Sequence, residues 1–242
     1  MAAYSTQESA SRAVTQEAKA LKTVFQSVEI DSCPQNYNFH MHTRCSDGKL
    51  SPEDLMSQAL DLGLQGLAVT DHHTLKGYRR AREWMEDWRW HHPAAWRSAA
   101  GRRQLPRLWP GVEITASLLG TEVHILGYAF YTDHGAIEPY LEHGPPQGVA
   151  KEAAQVIGAI QRAGGLAILA HPARYRVPPE QLVPAAVKLG IDGAEVYYAY
   201  DNPRVWRPTP GKTSRVKALV DEHDLLGTCG TDTHGLNLTR RL

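Results

Sequence analysis

The sequence predicts an α/β fold in which about seven strands form a barrel, and three observations support this. From Tyr37 onward, short apolar runs alternate with stretches of helical periodicity. Several of these runs end in His, Asp or Glu. The chain has 242 residues, 42% of them hydrophobic, which is enough for a single barrel core. Strands separated by helices favour a parallel barrel over an open sheet.

The N-terminal segment differs from the rest in composition. Residues 1–35 are rich in Ala, Ser, Thr and Gln, and an apolar stripe of Leu21, Val24 and Phe25 predicts at most a short helix. We expect this extension to end near Cys33-Pro34, because proline interrupts a helix. The chain is therefore divided into an N-terminal extension, 1–35, and a barrel domain, 36–242.

The barrel elements follow in order. The predicted strands cover residues 37–42, 66–70, 108–113, 122–126, 166–170, 193–197 and 226–229. Ser51 and Pro52 suit the cap and first position of a helix, so a helix should begin there. Further helices are predicted for residues 75–88, 148–163, 179–189 and 213–223. We interpret the Trp- and Arg-rich segment 88–107 as a continuation of one helix followed by a surface insertion.

Charge and cysteine content limit the function classes. Lys+Arg and Asp+Glu are both 26, so no net charge draws nucleic acid or a membrane to the whole surface. The sequence contains neither an apolar run long enough for a membrane span nor a signal-peptide pattern. Cys33, Cys45 and Cys229 form no CxxC pair and are odd in number. We therefore expect reduced cysteines and a cytoplasmic protein.

The placement of the 12 histidines is the most informative feature. His40 and His42 are two residues apart on a predicted strand, so their side chains point to the same face. Other His, Asp and Glu residues stand at or near strand ends, where active sites of barrels are assembled. The candidate cluster consists of His40, His42, Asp47, His72, Glu113, His124, His171, Asp232 and His234.

A cluster of this kind predicts a metal site. So many ionisable groups are costly to bury together without a cation. Imidazoles and carboxylates are ligands that divalent metals require, and the absence of cysteine among them favours zinc, manganese or iron. We interpret Cys45 and Cys229 as small buried residues. The nine residues therefore predict a metal-dependent hydrolase.

The same residues resemble the PHP (polymerase and histidinol phosphatase) domain family. The resemblance runs through His40-Met41-His42-Thr43, Ser46-Asp47-Gly48, Val69-Thr70-Asp71-His72, Gly111-Val112-Glu113, His124-Ile125-Leu126-Gly127, Ala170-His171-Pro172 and Gly230-Thr231-Asp232-Thr233-His234. It covers about residues 36–242 and looks closest to the small stand-alone phosphoesterases that hydrolyse phosphate monoesters, including nucleotides. It implies a distorted seven-stranded (β/α) barrel holding up to three divalent metal ions.

Carried over by position, the resemblance implies three sets of ligands. His40, His42, Glu113 and Asp232 would hold one metal, Glu113 would bridge to a second held by His124 and His171, and Asp47, His72 and His234 would hold a third. Glu113, Asp232 and His171 are the predicted catalytic residues. The interval Tyr131–Gly148 is short where many relatives carry a helical insertion, so no specific substrate is transferred.

Candidate substrate contacts lie beside the ligand motifs. Arg44 and Arg174 each follow a motif on a loop, and arginine can clamp phosphate, although either could be a solvated surface residue. Glu195 and Tyr197 are interpreted as contacts to a sugar or a ligand, or as packing residues. Asp71 either orients a ligand or caps the next helix. The histidines predicted not to be ligands are His73, His91, His92, His134, His143 and His223.

The predicted activity is hydrolysis of phosphate monoesters of small molecules, with nucleotides favoured, by a hydroxide that bridges two metals. Two alternatives stay open. One is a 3′–5′ exonuclease or oligonucleotide phosphodiesterase that uses segment 88–107 as a track for a strand. The other is a non-catalytic, metal-stabilised binding module. Hydrolysis of carbon–nitrogen bonds is less favoured. The expected partner is a small phosphorylated substrate; nucleic acid is less favoured, and a membrane is not expected.

Overall fold

The computed structural model describes residues 2–93, 104–142 and 144–242, with side chains described from residue 14 onward. Its helices are α1 (Ala2–Gln26), α2 (Pro52–Leu62), α3 (Lys76–His91), α4 (Ala153–Arg162), α5 (Pro179–Lys188) and α6 (Pro210–Glu222). The strands are β1 (Tyr37–Asn38), β2 (Gly66–Val69), β3 (Arg107–Leu118), β4 (Thr121–Tyr128), β5 (Leu166–Leu169), β6 (Gly193–Tyr197) and β7 (Leu226–Cys229). None of the described helices is both long and apolar enough to cross a membrane.

The seven strands form one sheet in the order of the sequence, which confirms the predicted α/β barrel. The expectation of parallel strands throughout is wrong for β4, which is antiparallel to both β3 and β5. Leu119 and Gly120 join β3 to β4 with φ values of 52° and 69°. Two residues with positive φ make a tight hairpin turn, whereas a parallel connection needs about a dozen residues or more.

The segments after β1 and β7 pair with each other and nearly close the sheet into a barrel. Met41 forms a parallel bridge with Thr233, and the carbonyl of His40 accepts from the amide of Asp232 at 2.8 Å. Gly230 lies in this seam, where an added Cβ would lie 2.2 Å from the Cβ of His40. Glycine therefore allows the first and last motifs of the cluster to become neighbours.

Helix α1 packs into the main core of the barrel. Leu21 and Phe25 are buried, and the Phe25 ring packs edge-on against Phe39 with a centroid distance of 4.9 Å. The prediction of at most a short helix is wrong, because α1 has 25 residues. The segment is rich in strong helix formers and has no glycine or proline before Pro34. The domain boundary after residue 35 stays a prediction, although the buried face of α1 shares the core of the barrel.

A disulfide joins Cys33 to Cys229, so the segment after α1 is bonded to the end of β7. The expectation of reduced, unpaired cysteines is wrong for these two. Their sequence separation of 196 gives no local signal of pairing, because the contact arises only when the N-terminal segment packs against the last strand. Cys45 is a free cysteine and is partly exposed.

The structure describes only parts of the segments 88–107 and 131–148. Helix α3 continues past Trp88 to His91, as predicted, and Trp90 is 82% exposed. Residues 94–103 lie outside the described residues, and with them Trp96, Arg97, Arg102 and Arg103. The described part of Tyr131–Gly148 contains one short 3-10 helix, Glu138–Tyr140, and no longer helix.

Asp71 holds the loop 43–48, which carries Asp47. The Asp71 carboxylate accepts hydrogen bonds from the Thr43 amide, the Thr43 hydroxyl and the Ser46 hydroxyl, each at 2.7 Å. These carboxylate bonds go to the loop, whereas the amide of Lys76 at the start of α3 donates to the Thr74 hydroxyl, so of the two interpretations of Asp71 the structure supports the one that orients a ligand. The carboxylate lies so close to Gly77 that an added Cβ would be 1.8 Å from Oδ2.

The substitution Gly77→Ala should destabilise the protein, because the new Cβ would displace Asp71 and break its bonds to loop 43–48. Overpacking together with lost buried hydrogen bonds should lower the free energy of unfolding by about 2–4 kcal/mol. Denaturant titration measures this change. Gly211→Ala in α6 is the control, because a Cβ there meets nothing within 4 Å. Equal stability of Gly77→Ala and the wild type would contradict this role of Asp71.

Candidate metal centre

Eight of the nine candidate ligands lie on or after six of the seven strands, and Asp47 lies on the loop 43–48; all nine meet in one cluster. His40 and His42 lie in the seam after β1, and His72 follows β2. Glu113 lies on β3 and His124 on β4. The remaining residues follow the last strands: His171 follows β5, and Asp232 and His234 follow β7.

The donor atoms fall into three overlapping groups, and within each group they lie within 4.8 Å of one another. These are the inner group (His40, His42, Glu113 and Asp232), the bridging group (His72, Glu113 and His124) and the outer group (His42, Asp47, His72 and His234). The resemblance pairs His171, not His72, with Glu113 and His124. In the structure a β-bridge between His72 and Glu113 brings His72 into the bridging group. His171 Nε2 joins the cluster at 3.4 Å from Glu113 Oε1.

Glu113 is the centre of the cluster. Its side chain is 1% exposed, and its two oxygens face five imidazoles. The distances are 3.0 Å to His40 Nε2, 2.9 Å to His42 Nε2, 3.6 Å to His72 Nε2, 2.7 Å to His124 Nδ1 and 3.4 Å to His171 Nε2. One carboxylate is therefore shared by residues from four parts of the barrel.

Asp232 has two different sides. Its Oδ1 faces imidazoles: His40 Nε2 at 3.5 Å, His42 Nε2 at 3.3 Å and His234 Nδ1 at 3.4 Å. Its Oδ2 accepts from Tyr198 Oη at 2.6 Å, Arg241 Nε at 2.8 Å and Arg174 Nη1 at 3.2 Å. The carboxylate thus separates the ligand cluster from a pair of guanidinium groups.

The outer group opens to solvent. The Asp47 side chain is 55% exposed, and its Oδ2 lies 3.2 Å from His234 Nε2 and 3.8 Å from His72 Nε2. Its Oδ1 lies 3.6 Å from Nδ1 of the buried His42. An ion or a small molecule that enters the cluster can therefore approach from the side of Asp47.

Charged neighbours shift the pKa values of the cluster. Burial alone would raise the pKa of Glu113 and of Asp232, but the imidazoles around them, His40 foremost, hold both pKa values well below the usual range. Burial alone would lower the pKa of His42, yet Asp232 and Glu113 raise it to about 9. Burial lowers the pKa of the more exposed His72 to about 4. The buried carboxylates therefore need cationic partners, which protonated imidazoles or metal ions can supply.

The donor set fits divalent metal ions. Both ring nitrogens of His42 are buried without a hydrogen-bond partner, although Nε2 lies close to the Glu113 and Asp232 carboxylates. Nδ1 of His171 is also buried without a partner. Buried polar atoms without partners need an explanation, and lone pairs directed at a cation provide one. His171 and Asp232 also have positive φ values, 28° and 52°, a backbone strain that often marks functional sites.

Glu195 lies behind the ligands and does not contact solvent. The structure buries its side chain completely, which leaves no surface for a sugar; of the interpretations drawn from the sequence, the contact to a ligand fits the structure. Its carboxylate oxygens lie 3.0 and 3.2 Å from His40 Nδ1, and one of them accepts from the His171 amide at 2.9 Å. A carboxylate on the far nitrogen of an imidazole fixes the ring and its tautomer, so that Nε2 is free for the cluster.

The two arginines predicted as substrate contacts, Arg174 and Arg44, lie in different surroundings. Arg174 reaches Asp232, as described, whereas the Arg44 guanidinium is 58% exposed and lies 4.0 Å from Asp54. Tyr197, a candidate contact, packs in the main core instead. A bulge between Glu195 and Tyr197 shifts the alternation of β6, and the next residue, Tyr198, reaches the cluster. No alternating pattern in the sequence placed Tyr198 on the face of the cluster, and no motif marked Arg241.

The other histidines stay outside the three groups where they are described. His73 is buried, and its Nε2 lies 3.0 Å from the Thr115 hydroxyl. His91 and His92 hydrogen-bond to carbonyls of the preceding turn of α3. His134 accepts from the Ala136 amide. His143 lies outside the described residues.

Comparison with known proteins connects this geometry to a family. The chain matches the family model of the PHP domain over residues 38–204. It is similar to the 5'-3' exoribonuclease Rnm of Escherichia coli (strain K12), with 26% identity over 82% of this chain and 85% of the relative. It is also similar to the 3',5'-nucleoside bisphosphate phosphatase of Chromobacterium violaceum, with 30% identity over 53% of this chain and 42% of the relative.

Solved structures share the fold. A predicted metal-dependent phosphoesterase from Bifidobacterium adolescentis has a TM-score of 0.64 and 23% identity, and the match covers 85% of this chain and 93% of that one. An amidohydrolase from Chromobacterium violaceum with bound sulfate has a TM-score of 0.64 and 19% identity, over 86% and 90%. The family model spans more than half of the chain and includes most of the clustered ligands. The chain therefore belongs to the PHP domain family and is a metal-dependent hydrolase.

Proposed function

We propose that the protein hydrolyses phosphate monoesters of small molecules, with nucleotides as the favoured substrates. The observation that carries this proposal is the position of Arg174. Its Nη1 lies 3.2 Å from Asp232 at the edge of the inner group, and 43% of its side chain is exposed. A guanidinium beside the metal ligands can bind phosphate oxygens in a bidentate way. The name of the Chromobacterium relative supports a nucleotide with a terminal phosphate.

We propose up to three divalent ions, zinc, manganese or iron, held by the inner, bridging and outer groups. When bound, such ions supply a hydroxide nucleophile near neutral pH and neutralise charge on the phosphoryl oxygens. Glu113 belongs to two of the groups, so we assign it the role of the shared ligand. Asp47 belongs to the exposed outer group.

The other side chains bind and orient. Glu113, Asp232 and His171 are the proposed catalytic residues, because each would contact a metal ion. Arg174 would exchange its ion pair with Asp232 for the substrate phosphate, which it can reach from the exposed edge. Arg44, on the exposed loop after His42, is a candidate contact to a more distant part of the substrate.

A second candidate activity is the release of nucleotides from the 5′ end of RNA. The Escherichia coli relative carries this activity in its name, and the match covers 85% of its length. Arg176, Arg204 and Arg207 are on the loops after β5 and β6, which border the cluster, and arginines there can follow a phosphate backbone. The exonuclease considered from the sequence has the opposite polarity, 3′–5′, and its proposed track, 88–107, is only partly described.

A substrate panel separates the two activities. Protein of measured metal content is assayed with 5′-mononucleotides, nucleoside bisphosphates, p-nitrophenyl phosphate and 5′-phosphorylated oligoribonucleotides. The monoesterase proposal predicts that inorganic phosphate is released from mononucleotides faster than mononucleotides are released from the oligomers. The reverse order would contradict it and support the exoribonuclease. No turnover with zinc, manganese or iron would contradict both and support a binding module.

The substitution His171→Ala should abolish turnover and leave the fold largely intact. The ring contacts Glu113 at the centre of the cluster, so its loss should lower kcat/KM by at least about 100-fold. Steady-state kinetics at matched metal content measure the effect, and circular dichroism checks the fold. His91→Ala is the matched control, because that ring is 62% exposed on α3. Activity of His171→Ala close to that of the wild type would refute the assignment.

We also propose a cytoplasmic location, as the sequence predicts. The Cys33–Cys229 disulfide argues against it, because cytosolic thiols are normally kept reduced. Counting free thiols in protein alkylated during cell lysis tests the point. If Cys45 alone reacts, the bridge is closed in the cell, and a cytoplasmic location is contradicted. If Cys33 and Cys229 also react, the prediction is supported.

A further inference from the structure

We propose that Arg241 is a positioning residue which, with Tyr198, clamps one oxygen of Asp232 and leaves the other as a single metal-ligand atom. The inference rests on the proposed function only in so far as Asp232 is a metal ligand. It assigns a role to the C-terminal segment 235–242, which contains no motif residue.

The contacts of Asp232 divide cleanly between its two oxygens. Oδ2 accepts from the Tyr198 hydroxyl at 2.6 Å and from Arg241 Nε at 2.8 Å, distances typical of charge-assisted bonds, and from Arg174 Nη1 at the longer distance of 3.2 Å. Oδ1 faces the ring nitrogens of His42 and His234 at 3.3 and 3.4 Å. A free carboxylate can chelate a metal with both oxygens. Because the clamp occupies Oδ2, Asp232 presents Oδ1 alone.

The fold holds Arg241 in place through its backbone. The carbonyl of Arg241 accepts from the amide of the ligand His234 at 2.6 Å. The carbonyl of Arg240 accepts from the Thr233 hydroxyl. Leu238 is fully buried, and its carbonyl accepts from the Thr231 hydroxyl at 2.9 Å. The segment after His234 therefore folds back onto the motif that carries the two ligands.

Arg241 and Arg174 differ in a way that separates their roles. Arg241 is 19% exposed and lies 2.8 Å from Asp232, whereas Arg174 is 43% exposed and lies 3.2 Å away. The more buried arginine holds the ligand, and the more exposed one is free to move to a phosphate.

The test compares Arg241→Gln, Arg241→Lys and Tyr198→Phe with the wild type. Arg240→Gln is the matched control, because the Arg240 side chain is exposed and its bond to Thr233 uses only the backbone. The readouts are manganese and zinc affinity, by competition with a chromophoric chelator, and separate values of kcat and KM for the best substrate of the panel. Thermal unfolding monitors the fold.

Arg241→Gln should weaken the affinity for the tightest-bound ion by about 10- to 100-fold and lower kcat with little change in KM. Arg241→Lys should recover part of the affinity, because it restores the charge but not the planar donor. Tyr198→Phe should weaken affinity less, and Arg240→Gln should match the wild type. Arg174→Gln should instead raise KM.

Two outcomes would overturn the inference while the proposed function stands. One is metal affinity of Arg241→Gln equal to that of the wild type. The other is a rise in KM alone, which would make Arg241 a substrate contact. If the wild type bound no metal, the proposed function itself would fail, and the clamp with it.

Discussion

The buried carboxylate of Glu113 is the constraint on which the site depends. Five imidazoles surround a side chain that is 1% exposed, and an isolated charge in that position would cost several kcal/mol. The β3–β4 hairpin makes part of this arrangement. His124 pairs with Thr115, two residues beyond Glu113, so both ligands lie on the same face of adjacent antiparallel strands. A parallel fourth strand would not give this pairing.

The rest of the barrel fixes the ligands around that carboxylate through polar groups that are not ligands themselves. Glu195 fixes the ring of His40, and Asp71 fixes the loop that carries Asp47. Arg241 and Tyr198 occupy one oxygen of Asp232. Such supporting contacts fix the orientation of the ligand side chains and therefore the geometry of the site. The cluster is consequently buried around Glu113 and open at Asp47, which leaves one side for a substrate.

The sequence predicted the ligands better than it predicted their supports. His40, His72 and Glu113 end or follow apolar strands. This pattern is local in the sequence, so it can be recognised without knowledge of the tertiary packing. Tyr198 was missed because the bulge in β6 breaks the alternation from which strand faces are read. Arg241 and the Cys33–Cys229 bridge depend on contacts between segments that carry no local signal. The hairpin at Leu119 and Gly120 was missed because the strands around it were predicted too short to meet at a two-residue turn.

The most direct test of this account is anomalous diffraction from crystals grown with manganese. The account predicts anomalous peaks on both sides of the Glu113 carboxylate, each about 2.0–2.3 Å from one of its oxygens and from at least one cluster imidazole. Asp232 should bind one of these ions through Oδ1 only, with Oδ2 beyond coordination distance. Peaks confined to the exposed side of Asp47, or no peak within coordination distance of Glu113, would contradict it.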